Sequence, residues 1–187
     1  MKKILCAIWE LDALSAKRLE NLSLAASGQS VLCNYFHPHI TLGTYEDMEE
    51  AKLKPYMRGF AEDLASFEVR FSQVGLLQPC RVVCFPDFSG GLNAHYHAFH
   101  QHFDNYADQW TRLAGGLYHP HVSLYGEDAQ LPAAVLERLQ ATFTPFDGLV
   151  TGLALSWVKE EDEYVILAKF PLNDLQHAGG KEILPSE

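Results

Sequence analysis

A six-residue phrase occurs twice in this chain of 187 residues. Residues 37–42 read His37-Pro38-His39-Ile40-Thr41-Leu42, and residues 119–124 read His119-Pro120-His121-Val122-Ser123-Leu124, 82 positions later. Both copies alternate polar and apolar residues, which is the period of a strand with one buried face. Pro38, Ile40 and Leu42 then share one face, and His37, His39 and Thr41 the other. In the second copy Pro120, Val122 and Leu124 turn to the core, while His119, His121, Ser123 and Tyr125 turn away from it. Proline removes a ladder donor, so each copy is expected at a strand start or on a sheet edge. Within each copy the second histidine and the hydroxyl are two residues apart, roughly 7 Å along a strand. That spacing suits groups flanking one small anion. One imidazole can take a proton, the other can give one, and the hydroxyls can hold phosphate oxygens.

The rest of the composition narrows the partner. The formal net charge is −10, which disfavours long contact with a nucleic-acid backbone and leaves room for a nucleotide or an RNA end in a local pocket. Apolar content of 48% with 20% charged residues is that of a globular protein, one large domain or two small lobes. No apolar run approaches membrane-spanning length, and the short apolar stretch after Met1-Lys2-Lys3 reads as a first strand, so a cytoplasmic protein without a membrane partner is expected. Cys6, Cys33, Cys80 and Cys84 form no zinc-type pair, and Cys80 and Cys84 sit too far apart in a strand for a disulfide; free buried thiols are expected.

Periodicity and breakers predict strands over 3–11, 38–45, 67–77, 81–86, 119–126, 148–158 and 163–171. They predict helices over 13–27, 48–65, 92–114 and 132–143, the third of these stopping at Gly115-Gly116. The order strand, helix, motif strand, helix, strand, strand is followed by helix, motif strand, helix, strand, strand. One motif falls in each half, as in an internal repeat. Such halves can face each other about a pseudo-two-fold axis and bring both motifs to one cleft.

These residues resemble the 2H phosphoesterase superfamily, defined by two His-x-Thr/Ser motifs. The nearest resemblance is to small cyclic nucleotide phosphodiesterases, with bacterial 2′-5′ RNA ligase-like proteins as near relatives. It spans Ile8-Trp9-Glu10-Leu11, Phe36-His37-Pro38-His39-Ile40-Thr41-Leu42, Tyr118-His119-Pro120-His121-Val122-Ser123-Leu124-Tyr125 and the closing hairpin around Leu153-Ala154-Leu155 and Val165-Ile166-Leu167-Ala168. The resemblance implies an α+β fold over residues 1–187, bilobal and pseudo-two-fold, with antiparallel sheets lining a central cleft and helices outside. It implies that His39, Thr41, His121 and Ser123 are catalytic, and gives no role to His37 or His119. The family's activities include opening cyclic phosphates, hydrolysing 2′-5′ linkages, trimming RNA ends and 2′-5′ ligation.

The chemistry of a two-histidine site fits the opening of a nucleoside 2′,3′-cyclic phosphate or of an ADP-ribose cyclic phosphate. One histidine deprotonates water, the other protonates the leaving ribose oxygen, and Thr41 and Ser123 donate to the nonbridging oxygens. The expectation is a monomeric hydrolase that needs no metal and no cofactor. A 2′-5′ RNA ligase or 2′-5′ phosphodiesterase is the neighbouring alternative, and a non-catalytic nucleotide- or RNA-end-binding module the alternative of another class. Tyr125 sits on the motif face two residues past Ser123, where Gly43 stands in the first copy. Trp9, Tyr45, Phe85, Phe88 and Trp157 are candidates to stack on a base, although packing is the commoner use of such residues. His95, His97, His100 and His102 do not converge on a helix and lack a carboxylate in a ligand pattern, so a solvated or mixed face is expected there rather than a metal site.

Overall fold

Alternating apolar residues become seven strands of one antiparallel sheet, with helices packed outside it. They appear in a computed structural model that describes residues 4–27, 38–77, 81–125, 132–158 and 164–174. The strands are β1 (Ile4–Leu11), β2 (His39–Tyr45), β3 (Phe67–Leu77), β4 (Arg81–Pro86), β5 (Val122–Tyr125), β6 (Phe146–Val158) and β7 (Tyr164–Pro171). The helices are α1 (Ala13–Ser27), α2 (Glu50–Glu62), α3 (Gly90–Phe99) and α4 (Pro132–Thr142). The sheet runs β2-β1-β6-β3-β4-β5, and β7 joins β6 off that path. The long β6 makes this possible, because Phe146–Val150 pairs with β3 while Gly152–Val158 pairs with β7.

One face of the sheet carries the core. Leu5, Ala7 and Trp9 of β1, Ile40, Leu42 and Tyr45 of β2, Val82 and Cys84 of β4, and Val122 and Leu124 of β5 all belong to it. Burial of this much apolar surface is the main term holding the sheet to its helices. The opposite face of β1 and β6 carries a smaller apolar group, Cys6, Ile8 and Ala154, edged by Ile4, Val158 and Ile166. Ile8 is the register partner of Thr41, and Glu10 that of His39, so the first motif shares this second face.

Asp12 explains where α1 begins. Its carboxylate accepts from the amides of Leu14, Ser15 and Leu149 and from Ser15 Oγ, capping the helix and tying it to β6. Burial pushes the Asp12 carboxyl up, and those hydrogen bonds outweigh it to hold the group below its usual value.

The expected long helix over 92–114 is a correction. Helix α3 ends at Phe99, and two short 3-10 turns, Asp104–Tyr106 and Leu113–Gly115, follow. Phe103 adopts a left-handed conformation with φ of 58°. Asp104 Oδ1 then takes the Leu113 amide, and Asp108 Oδ1 takes the amides of Trp110 and Thr111. Short acidic side chains here outcompete the helical ladder for backbone donors. The expected strand over 119–126 also starts late, at Val122, because Pro120 has no amide to give β4.

Gly43 has a packing reason. The Tyr45 side chain folds back across it, and a Cβ added at Gly43 would lie 2.8 Å from Tyr45 Oη and 3.0 Å from two ring carbons. Tyr45 is fully buried and cannot retreat into solvent. Gly43→Ala is therefore expected to destabilise the fold by about 1–3 kcal/mol through overpacking. Urea unfolding measures this, and an unchanged midpoint would show that the ring has room to move.

Candidate active site

The first His–hydroxyl pair is built by β2. Ile40 and Leu42 are fully buried in the core, which forces His39 and Thr41 to the other face. His39 Nε2 lies 3.3 Å from Thr41 Oγ1. The His39 side chain is largely enclosed, at 7% exposure for the residue. A register shift in the β1–β2 pairing pairs Ala7 with Gly43 and Ile8 with Thr41, leaving Leu42 as the extra residue.

The second pair straddles the start of β5. Val122 and Leu124 enter the core, so Ser123 turns outward as the register partner of Val83. His121 stands one residue ahead of the strand, and its Nδ1 lies 2.7 Å from the His119 carbonyl oxygen. A carbonyl only accepts, so Nδ1 carries a proton and Nε2 is the nitrogen left for exchange. Desolvation pushes the His121 pKa below its usual value; the His119 carbonyl opposes this, and the charge of Arg81 pushes the same way as burial. His121 is therefore neutral near pH 7, with a free lone pair on Nε2.

The two pairs lie at opposite ends of the sheet path, yet β2 and β5 touch. The sheet curls until its two edges meet. Tyr118 Oη donates a 2.7 Å hydrogen bond to the Thr41 carbonyl across that meeting line. Beside His39 is a cavity of about 200 Å³ lined by Ile8, Glu10, Pro38, Thr151 and Lys169. Lys169 Nζ and the Glu10 carboxylate pair at its rim. A roomier cavity of about 480 Å³ lies among Glu46, Asp47, Tyr106, Asp108 and Trp110 and contains no motif residue. Of the two, the smaller space is the one that an imidazole, that of His39, lines.

A family model described as the 2′-5′ RNA ligase superfamily matches residues 37–162, more than half of the chain and both motifs. The chain belongs to the 2′-5′ RNA ligase superfamily. Solved structures agree on the fold. TT0787 of Thermus thermophilus is 17% identical with a TM-score of 0.63, over 92% of this chain and 99% of that one. E. coli LigT complexed with 3′-AMP is 16% identical with a TM-score of 0.61, over 92% and 99%. LigT complexed with phosphate is 16% identical with a TM-score of 0.58, over 92% and 98%. No curated protein sequence matches the chain.

Within this 2′-5′ RNA ligase superfamily fold, the aromatic candidates separate by sheet face. Phe85 lies on the face of Ser123, since Val82 and Cys84 on either side of Val83 enter the core; its ring covers Gly75. Tyr125 ends β5 opposite Val82, and its side chain lies outside the described residues. Trp9 and Tyr45 are corrections: both are fully buried in the core and neither ring is open to a base. Trp157 is another, because it pairs with Leu5 and Val165 and packs on the main core rather than on the motif face. Phe88 sits at the edge of Tyr96 and Tyr118.

The histidine-rich stretch is mixed, as expected: His97 and His102 are exposed, His95 is half-buried and His100 is buried. His100 is 1% exposed, with Nε2 2.8 Å from the Leu42 carbonyl oxygen and Nδ1 3.0 Å from Asp104 Oδ1. It is a structural brace for the motif strand, not part of a solvated face. His95 packs on Trp9 and Phe67, and His102 on Tyr56. Among the described residues, no three His, Cys, Asp or Glu side chains converge in metal-ligating geometry. Cys6 and Cys84 are buried free thiols, each pushed up to about 12 by burial; Cys33, Cys80 and His37 lie outside the described residues. No described helix is long and apolar enough to cross a membrane.

Proposed function

We propose that this member of the superfamily is a metal-independent phosphodiesterase that opens a cyclic phosphate on a small nucleotide or an RNA end. The observation that carries this reading is that the two His-x-Thr/Ser motifs sit at β2 and β5, the end strands of one sheet whose edges approach each other. His121 Nε2 takes the proton from the attacking water, because burial and Arg81 keep that ring neutral. His39 gives its proton to the ribose oxygen that leaves. Thr41 and Ser123 donate to the nonbridging oxygens, where charge is greatest in the transition state. Phe85, half-buried on the face of Ser123, is the described aromatic candidate to stack on a base. That LigT was crystallised with phosphate and with 3′-AMP supports a small phosphorylated nucleotide as the ligand class.

The test is a panel assayed with a chelator present: nucleoside 2′,3′-cyclic phosphates, ADP-ribose 1″,2″-cyclic phosphate and a 2′-5′-linked dinucleotide. Turnover of a cyclic phosphate supports the reading. Turnover of the dinucleotide alone would replace it with 2′-5′ phosphodiesterase activity, and tight binding without turnover would replace it with a nucleotide-binding module.

The electrostatics also predict a pH profile. A base with a lowered pKa stays neutral to lower pH, so the acid limb of kcat/KM falls below the ordinary histidine value of 6.5. Arg81→Met removes one cause of that lowering, so the limb moves up towards 6.5. It also removes an attraction for the anionic substrate, and KM rises by about tenfold, the size of one exposed charge-assisted contact. A limb that stays in place in Arg81→Met would mean that Arg81 does not act on His121.

A further inference from the structure

We propose that Tyr118 is a positioning residue that sets the spacing between the two His–hydroxyl pairs. The proposal rests on the two-histidine reading above and adds what holds the pairs together. Tyr118 Oη bonds to the carbonyl of Thr41, a motif residue 77 positions away. That carbonyl lies next to Leu42, where the register of β2 shifts and the strand is least constrained by β1. On the other side, Tyr118 leads into the segment that carries His121. Residues 117–121 have no register partners in β4, whose pairing with β5 begins at Val122. The His121 ring is bonded to its own segment through the His119 carbonyl, so it goes where that segment goes. The Tyr118 bond therefore fixes where His121 stands relative to Thr41 and His39.

The ring cannot swing to relieve a mismatch. It is stacked on Tyr96 with centroids 4.1 Å apart and planes 3° apart, and meets the edge of Phe88 at 5.4 Å. The Tyr96 hydroxyl takes no part in that stacking; it donates a 2.9 Å bond to the Thr111 carbonyl. Burial pushes the Tyr118 phenol far above its usual pKa, so it stays a donor throughout the working range.

This arrangement supplies its own control. Tyr118→Phe and Tyr96→Phe each delete one hydroxyl from the same aromatic stack and leave the rings in place. One bond ends on a motif residue; the other ends on Thr111. Tyr118→Phe is expected to lower kcat for the cyclic phosphate by about 10–100-fold with KM changed by less than about threefold, the signature of misaligned reacting groups. Tyr96→Phe is expected to leave kcat within about threefold. Imidazole NMR with inorganic phosphate as the probe gives a readout that does not need turnover. In the wild type one phosphate shifts His39 and His121 with a common midpoint; in Tyr118→Phe the two imidazoles no longer share one midpoint, and in Tyr96→Phe they still do. Equal losses in both variants, or wild-type behaviour of Tyr118→Phe in kcat and phosphate midpoint, overturns the proposal. If the wild type turns over no compound, the functional reading fails and the phosphate titration alone decides this inference. A phosphate that moves neither imidazole overturns it as well.

Discussion

His121→Ala is expected to lower kcat on a 2′,3′-cyclic phosphate by about 10²–10⁴-fold, the usual contribution of a positioned acid or base. His39→Ala is expected to fall in the same range, because the water proton and the leaving-oxygen proton are moved in one displacement. KM should change much less, since the proposed phosphate donors Thr41 and Ser123 are retained. The double variant should be little worse than the poorer single one, because the two groups act as a unit. Steady-state kinetics of the three variants, with circular dichroism to confirm folding, checks this. A variant that keeps more than a tenth of wild-type kcat would remove its histidine from the mechanism.

The second large effect is on stability. His100 is buried between a carbonyl of the motif strand and the Asp104 carboxylate, and that carboxylate also holds the Leu113 amide. His100→Leu fills the space but leaves the Leu42 carbonyl without its donor and Asp104 without its partner. Leaving a buried acceptor without its donor costs about 1–3 kcal/mol. The urea midpoint should fall accordingly. Because Leu42 adjoins Thr41, the loss should reach the site, and kcat of the folded variant should drop as well. A variant as stable as wild type would show that the ring is replaceable packing, not a brace.

These histidines differ in how legible they are in the chain itself. His39 and His121 are marked by a repeated phrase whose period of two assigns their faces, and Ile40, Leu42, Val122 and Leu124 do enter the core as that period requires. The prolines place both copies at strand starts on edges, and β2 and β5 are the end strands of the sheet path. His100 is illegible for the opposite reason. Its partners are a carbonyl 58 positions earlier and a carboxylate beyond the end of its helix, and by periodicity that helix reads as continuous through residue 114. Local propensity does not register that Asp104 and Asp108 give their oxygens to backbone amides.

The aromatic residues teach a related point. Trp9 lies on a strand whose two faces are both apolar, so alternation does not say which face meets the site. Phe85 differs because Val82, Val83 and Cys84 are all buried, and only pairing with Ser123 through Val83 reveals its side. Tyr118 stands beside the second motif in the sequence, but its partner is reached only when the sheet curls. Arg81 is one scattered arginine until the β4–β5 pairing places it near His121.

The central claim is that two half-sites act on one phosphate. The measurement that tests it most directly is hydrolysis of a nucleoside 2′,3′-cyclic phosphate in ¹⁸O-labelled water with a chelator present, followed by mass and isomer analysis of the product. The expected product carries one ¹⁸O atom on phosphorus and is a single phosphomonoester isomer, and its rate of formation falls by about a hundredfold or more with either His39→Ala or His121→Ala. Turnover that survives both substitutions, or a cyclic phosphate left intact by the folded wild type, would contradict it.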